Sequence, residues 1–291
     1  MKRKTTKIAG ILLTLVMLVT MLGAFSLTAS AADGDACVST ADCTGTYANG
    51  FCTVCDGYEQ PTLNSDGYYE IDNAGKLYWF AGLVNGTLDG VAQNASANAI
   101  LTADIDLNIG ATINKNGTYE SLDVLRKWTP IGSSTTPYAG VFRGVQHRIS
   151  HVYINSTDDY QGLFGYVTGT VTGCTVKESY VKGKDYVGGV IGYLKSTGEI
   201  LFCENLSSVN GEMYVGGVIG YAHSASLINE CANDGSVVGT ENVGGVIGYA
   251  SYAVEVIVNC ENNGRISGEE CVGGVIGWGG ETIQGCTNRG D

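Results

Sequence analysis

Eight residues, Tyr186-Val-Gly-Gly-Val-Ile-Gly-Tyr193, return almost unchanged three more times along this chain, as Tyr214 to Tyr221, Asn242 to Tyr249 and Cys271 to Trp278. A looser copy, Tyr160-Gln-Gly-Leu-Phe-Gly-Tyr166, precedes them. The first positions, 160, 186, 214, 242 and 271, lie 26, 28, 28 and 29 residues apart. A second element keeps step: Cys231-Ala-Asn-Asp-Gly235, Cys260-Glu-Asn-Asn-Gly264 and Cys286-Thr-Asn-Arg-Gly290, with Cys203-Glu-Asn205 and Cys174 filling the same slot in reduced form. Two elements in phase over five copies restrict the chain to a repeat architecture in which each unit packs on its neighbours.

The units are β rather than helical. Short β-branched runs (Val187 to Ile191, Leu227 to Ile228, Ser236 to Val238) are separated by Asn, Asp and Gly, without the three- and four-residue apolar spacing of a helix. The chain holds 43 Gly against 3 Pro, but without the three-residue period of collagen, and it is 44% hydrophobic, too apolar for disorder. Stacked parallel coils would set equivalent residues about 4.8 Å apart. That spacing suits an asparagine in the Cys-x-Asn slot, whose amide can bond up and down the stack. It also suits glycine at corners and close approaches.

The start of the chain reads as an export signal, residues 1–31: Lys2, Arg3, Lys4 and Lys7, an apolar run from Ile8 to Leu27, then Ala29-Ser30-Ala31 as the cleavage site. Residues 1–31 carry four bases and no acids, so cleavage leaves a chain four charges more acidic than the −13 of the whole. Such a chain repels nucleic acid and anionic lipid, and no integral membrane segment is expected after cleavage. Residues 32–57 form a cysteine-rich patch, 58–66 a polar linker, 67–157 a cap with the first coils, and 158–291 the repeats, the last one incomplete. In the cap, Leu77, Phe80, Ala81 and Val84 behind Asp72 and Asn73 predict a short amphipathic helix within Ile71 to Gly86. Strand-like stretches follow at Ala99 to Ile109 and Trp128 to Ile154. Because the sequence stops inside a repeat, a piece of a longer protein is expected.

The repeats resemble the GLUG motif of bacterial surface proteins, whose Gly-Leu-x-Gly core stands here as Gly162-Leu-Phe-Gly165. Gly67 to Ala81, Leu101 to Leu107, Trp128 to Gly132 and Tyr138 to Ile149 resemble segments that precede such repeats in exported proteins of gut Firmicutes. Where that family has Asp-Gly-x-Gly, this chain has Arg143-Gly-Val-Gln. The resemblance implies an all-β fold, a right-handed parallel β-helix or solenoid of about 28-residue repeats, on the cell surface. It implies a role in adhesins or stalks that bind host proteins or glycans. It extends to non-catalytic parts of larger enzymes, including metalloproteases that cleave immunoglobulin A. No catalytic residue is implied.

Candidate chemistry is sparse. Cys37, Cys43, Cys52 and Cys55 suit two disulfides, a structural zinc or free thiols, a staple in each case. No other cofactor is expected. Cys174, Cys203, Cys231, Cys260 and Cys286 would stack as buried free thiols, since an in-register ladder gives poor disulfide torsions. Tyr166, Tyr193, Tyr221, Tyr249 and Trp278 would form a column. Exposed, it could bind sugar rings; but strand parity sets Tyr193 on the face of Val187 and Ile191, so packing inside the wall is expected. As acid and base, Asp104 with Asp106 or Asp158 with Asp159 can be proposed, yet neither pair has a supporting cluster, and His147, His151 and His223 lack metal spacing. Arg289-Gly-Asp291 fills the Asn-x-Gly slot of the repeat and so reads as structure rather than an integrin ligand. The chain is not expected to be an enzyme.

Overall fold

A computed structural model describes residues 45–55, 57–121, 125–195, 198–280 and 282–291. The export signal, Cys37 and Cys43 lie outside them. The chain winds into stacked parallel coils with four walls. Wall A is an order of strands running Tyr68–Ile71, Asn98–Leu101, Val141–Arg143, Thr170–Thr172, Glu199–Leu201, Leu227–Asn229, Ile257–Val258 and Ile283–Gln284, eight coils in all. Wall B follows it around each coil, from Ile105–Asp106 through Thr175–Lys182 and Glu204–Asn210 to Thr287–Asn288. Wall C (Phe164–Val167, Ile191–Lys195, Ile219–Ala225, Ile247–Val254, Ile276–Gly279) and wall D (Asp185–Gly188, Met213–Gly216, Glu241–Gly244, Glu270–Gly273) carry the glycine-rich motif. Register is like on like: Ile191, Ile219, Ile247 and Ile276 pair in turn, as do Val187, Val215, Val243 and Val272. Val187, Val190, Ile191, Leu194, Val215, Val218 and Ile219 are fully buried, each contributing about 2 kcal/mol.

The two repeating elements meet across the coil interior. Asn205 Nδ2 donates to Asn233 Oδ1 at 2.8 Å, Asn233 Nδ2 to Asn262 Oδ1 at 2.8 Å and Asn262 Nδ2 to Asn288 Oδ1 at 2.7 Å. Each of those amides also closes its own turn, Asn233 Nδ2 on Gly235 O at 3.0 Å. The second motif glycine lies against this ladder: a Cβ at Gly217 would sit 2.3 Å from Asn233 Cγ, and one at Gly245 2.4 Å from Asn262 Cγ. The first motif glycine lies where walls D and C meet, a Cβ at Gly216 falling 2.0 Å from Ile219 O. Only glycine leaves room for the amide and for the backbone.

Space, not corner geometry, explains these glycines. The left-handed corners fall elsewhere, at Tyr160, Tyr186, Tyr214, Asn242 and Cys271 (φ 51 to 62°) before the motif valine. A second set precedes the cysteine slot: Gly173, Phe202, Glu230, Asn259 and Gly285 (φ 51 to 64°). Non-glycine residues hold a conformation there that costs about 1–2 kcal/mol each, and the stacked neighbours impose it. Val145 and Gln146 are likewise left-handed (φ 51 and 64°), in the turn where the resembled family has glycine.

The N-terminal end is closed by helix α1, Ala74–Asn85. Asn73 caps it by accepting from the Lys76 amide at 3.0 Å, and Gly86 ends it in the left-handed region (φ 71°). The expected stripe Leu77, Phe80, Ala81 and Val84 is buried, but so are Trp79, Gly82 and Leu83, so the helix is enclosed rather than amphipathic. The cysteine-rich patch docks on its start: the Gly75 amide donates to Asn49 O at 2.9 Å, and Phe51 meets Tyr58 edge-on and Tyr78 at a tilt under the Arg126 guanidinium. The segment read as a linker contains Thr62–Leu63, antiparallel to Tyr69 and Glu70. Among the described residues, no helix is long and apolar enough to cross a membrane.

Candidate functional site

The aromatic column forms, but on the outer face. Tyr166, Tyr193, Tyr221, Tyr249 and Trp278 pair in register along wall C, with ring centroids 4.5, 5.0, 4.6 and 4.7 Å apart and nearly parallel planes. The four tyrosines are half-buried and Trp278 is 38% exposed. This overturns the expectation of a column packed inside the wall. Ile191 and Leu194 both point into the core while Tyr193 between them points out, so strict alternation fails within the strand. It fails at Gly192, where the backbone comes so close to its own motif that a Cβ would lie 2.7 Å from Tyr186 O.

A second column, missed in the sequence, runs beside the first. Tyr160, Tyr186 and Tyr214 stack at 4.9 and 5.0 Å, and their rings meet the first column edge-on, Tyr186 with Tyr193 at 5.4 Å and 72°. These are the left-handed first positions of the motif, and that backbone turn directs their side chains outward beside the Tyr193 column. The signal was present in the motif itself, which is bracketed by tyrosine at both ends. Carboxylates flank the pair: Asp159, Asp185, Glu241 and Glu270 each precede a first position. Burial, followed by the Asp159 carboxylate, pushes the Tyr160 hydroxyl above its ordinary pKa. Burial, followed by Glu241, does the same to Tyr214, and burial with neighbouring tyrosines raises Tyr193. Within a stack each ring spends its faces on its neighbours, so the columns offer solvent a repeating row of ring edges and hydroxyls, bordered by negative charge.

The other candidates have structural occupations. Asp104 Oδ1 accepts from the Arg148 amide at 3.0 Å and meets His147 Nδ1 at 3.2 Å; the amide first, then the histidine, hold its carboxyl below the usual range. Asp106 Oδ1 accepts from the Asn108 amide at 3.0 Å and meets His151 Nδ1 at 2.8 Å, while His151 Nε2 lies 3.7 Å from Glu178. The fold thus joins each carboxylate of that pair to a histidine 43 or 45 residues away, a contact that sequence spacing conceals. Asp158 and Ser156 bond each other in a turn, and Asp159 accepts from the Asp185 amide at 3.3 Å. His223 lies beside Tyr193 and Tyr221.

Cys174, Cys203, Cys231 and Cys260 are buried free thiols, and Cys286 is partly covered. Burial holds the end members Cys174 and Cys286 above the ordinary thiol pKa, which keeps them unreactive. Cys271 is free and exposed. In the N-terminal patch Cys52 and Cys55 are each engaged in a disulfide. Among the described residues, no group of three or more His, Cys, Asp or Glu is arranged to hold a metal ion. Arg289 pairs with Glu261 and Asp291 O accepts from the Ile266 amide at 2.8 Å, so the Arg-Gly-Asp sequence is a rung of the coil.

No protein-family model matches the chain, and no curated protein matches it. Among solved structures, a candidate immunoglobulin A1 protease from Bacteroides ovatus is similar at 19% identity and a TM-score of 0.50, covering 77% of this chain and 75% of that one. A likeness at that identity extends to the fold alone.

Proposed function

We propose that the chain is a non-catalytic binding module of an exported bacterial surface protein, holding an extended host glycan along the outer face of walls C and D. The observation that carries this reading is the double aromatic column. Rings and hydroxyls recur every 4.5 to 5.0 Å along five coils beside a row of carboxylates. A surface repeating at the coil rise suits a ligand that itself repeats, and acceptor-rich edges suit a polymer rich in hydroxyl donors. The basic, apolar and small-residue order of residues 1–31 supports export, and the GLUG-like repeats support a bacterial cell surface. The carboxylates proposed as acid and base serve turns and histidine contacts instead, which argues against hydrolysis at those positions.

A second reading is that the solenoid is the scaffold of a larger exported enzyme, favoured by the fold shared with a candidate immunoglobulin A1 protease. One experiment separates the two. The purified chain is applied to a glycan array and, in parallel, incubated with immunoglobulin A1. Retention on a subset of glycans with intact antibody is the expected result. Antibody cleavage by this chain would overturn the non-catalytic reading, and absence of retention on every glycan would overturn the binding module.

A further inference from the structure

The faces of a stacked column are open only at its ends, and the head of the outer column opens on a cleft. Tyr160 carries Tyr186 on one face at 4.9 Å and 5°. Among the described residues no ring stacks on the other. There a cleft of about 460 Å³ lies between the end of helix α1, the loop around Gly132 and the turn at Asp158. That volume falls in the range of small-molecule sites, about 300–1,000 Å³. Its lining includes Asp158, Asp159, Thr87, Ser133 and Ser134 beside the Tyr160 ring, and no lysine, arginine or histidine.

Each carboxylate has one oxygen engaged, Asp158 Oδ2 by the Ser156 hydroxyl of its own turn at 2.8 Å and Asp159 Oδ1 by the Asp185 amide of the next coil at 3.3 Å. Both residues line the cleft, and each has a second carboxylate oxygen outside these two bonds. The cleft therefore combines an aromatic face, ionised acceptors and hydroxyls that both donate and accept. An apolar C–H face with adjacent hydroxyls on its rim satisfies all three at once: the face lies on the ring and the hydroxyls donate to a carboxylate. A sulfated, phosphorylated or carboxylated sugar would set its charge against two aspartates, which costs it the site.

We propose that this cleft binds the terminal residue of a neutral glycan whose remaining residues run along the columns. The inference rests on the binding-module reading and gives that module a specific end and a charge preference. Lys184, whose amide donates to Asp158 O at 2.9 Å, turns its ammonium to Asp185 at 3.6 Å and is absent from the lining.

The test is saturation-transfer NMR on the full chain, with methyl glycosides of galactose, glucose, mannose and N-acetylglucosamine as neutral probes and N-acetylneuraminic acid as the anionic one. Transfer to ring C–H protons of at least one neutral probe is expected, with none to the anionic sugar. Tyr160→Ala and Asp158→Asn should each weaken binding about tenfold, the loss of one stacking or one charged hydrogen-bond contact. Asp158 is exposed, so its variant reports even if Tyr160→Ala fails to fold. Binding unchanged in the Asp158 variant, or a preference for the anionic sugar, would overturn the site. So would silence from every neutral probe when the glycan array is positive, and the binding module itself would then still stand. Silence in both experiments would overturn the two together.

Discussion

The asparagine ladder and the tyrosine columns obey one rule, like residue over like residue one coil apart, yet one is sealed in the core and the other faces outward. In the core, Asn205, Asn233 and Asn262 are fully buried, and each amide finds partners both in its own turn and in the next coil. On the outside, Tyr193 and Tyr221 stack at 5.0 Å with their edges in solvent. The difference lies in what a vacancy would cost. A missing amide strands buried donors and acceptors, whereas a missing ring removes a contact that water can replace. Fixed positions inside therefore specify the register, and fixed positions outside are free to serve a ligand.

The sharpest way to break this contrast is Asn233→Ala. It removes the inter-coil partner of both Asn205 Nδ2 and Asn262 Oδ1, leaving each only the bond to its own turn, and should cost about 4 kcal/mol, read as a lowered midpoint in urea unfolding. Tyr221→Ala, which loses stacking on Tyr193 and Tyr249, should cost about 1.5 kcal/mol by the same measurement. Equal losses at the two positions would erase the distinction between the ladders.

Alkali should act on the outer ladder. The folded state raises Tyr160, Tyr186, Tyr193, Tyr214 and Tyr221 above the ordinary value of 10.0, with burial the first cause in each. A raised acid favours its neutral form in the fold, so this stability is complete below the unfolded pKa and drains away as pH rises beyond it. Thermal melts at about pH 8 and about pH 11 should show the loss, and Tyr221→Phe should reduce it. A melting temperature unmoved by alkali would contradict the packing of these hydroxyls. The smallest effect is expected at the corners: Glu230→Asn, at φ 51° in the slot where other coils hold Gly173, Asn259 and Gly285, should raise the unfolding free energy by about a few tenths of a kcal/mol, read in urea unfolding. A loss of stability there would mean that the corner is held by the glutamate itself.

Much of this was written in the chain. The period, the parallel register and the asparagine ladder follow from two elements kept in phase, because stacking is the only way such short units bury their apolar residues. The free-thiol ladder followed from torsional geometry. The orientation of Tyr193 did not, because an alternation count assumes a regular strand and Gly192 interrupts it. The glycines were visible, but their purpose was partly misread: Gly217 makes room for Asn233, while Tyr214 and Glu230 turn the corners. The cleft beside Tyr160 joins helix α1, the Gly132 loop and the Asp158 turn, separated by dozens of residues and aligned by no repeat. The same is true of the Asp104–His147 and Asp106–His151 contacts.

Whether one ladder faces in and the other out can be read by mapping side-chain reactivity in the native chain with iodoacetamide and tetranitromethane, followed by peptide mass spectrometry. Cys271 should alkylate, and Tyr193, Tyr221 and Tyr249 should nitrate, while Cys203, Cys231 and the fully buried Tyr138 stay unmodified until the chain is unfolded. Tyrosines of the column as protected as Tyr138, or native alkylation of Cys203 and Cys231, would contradict it.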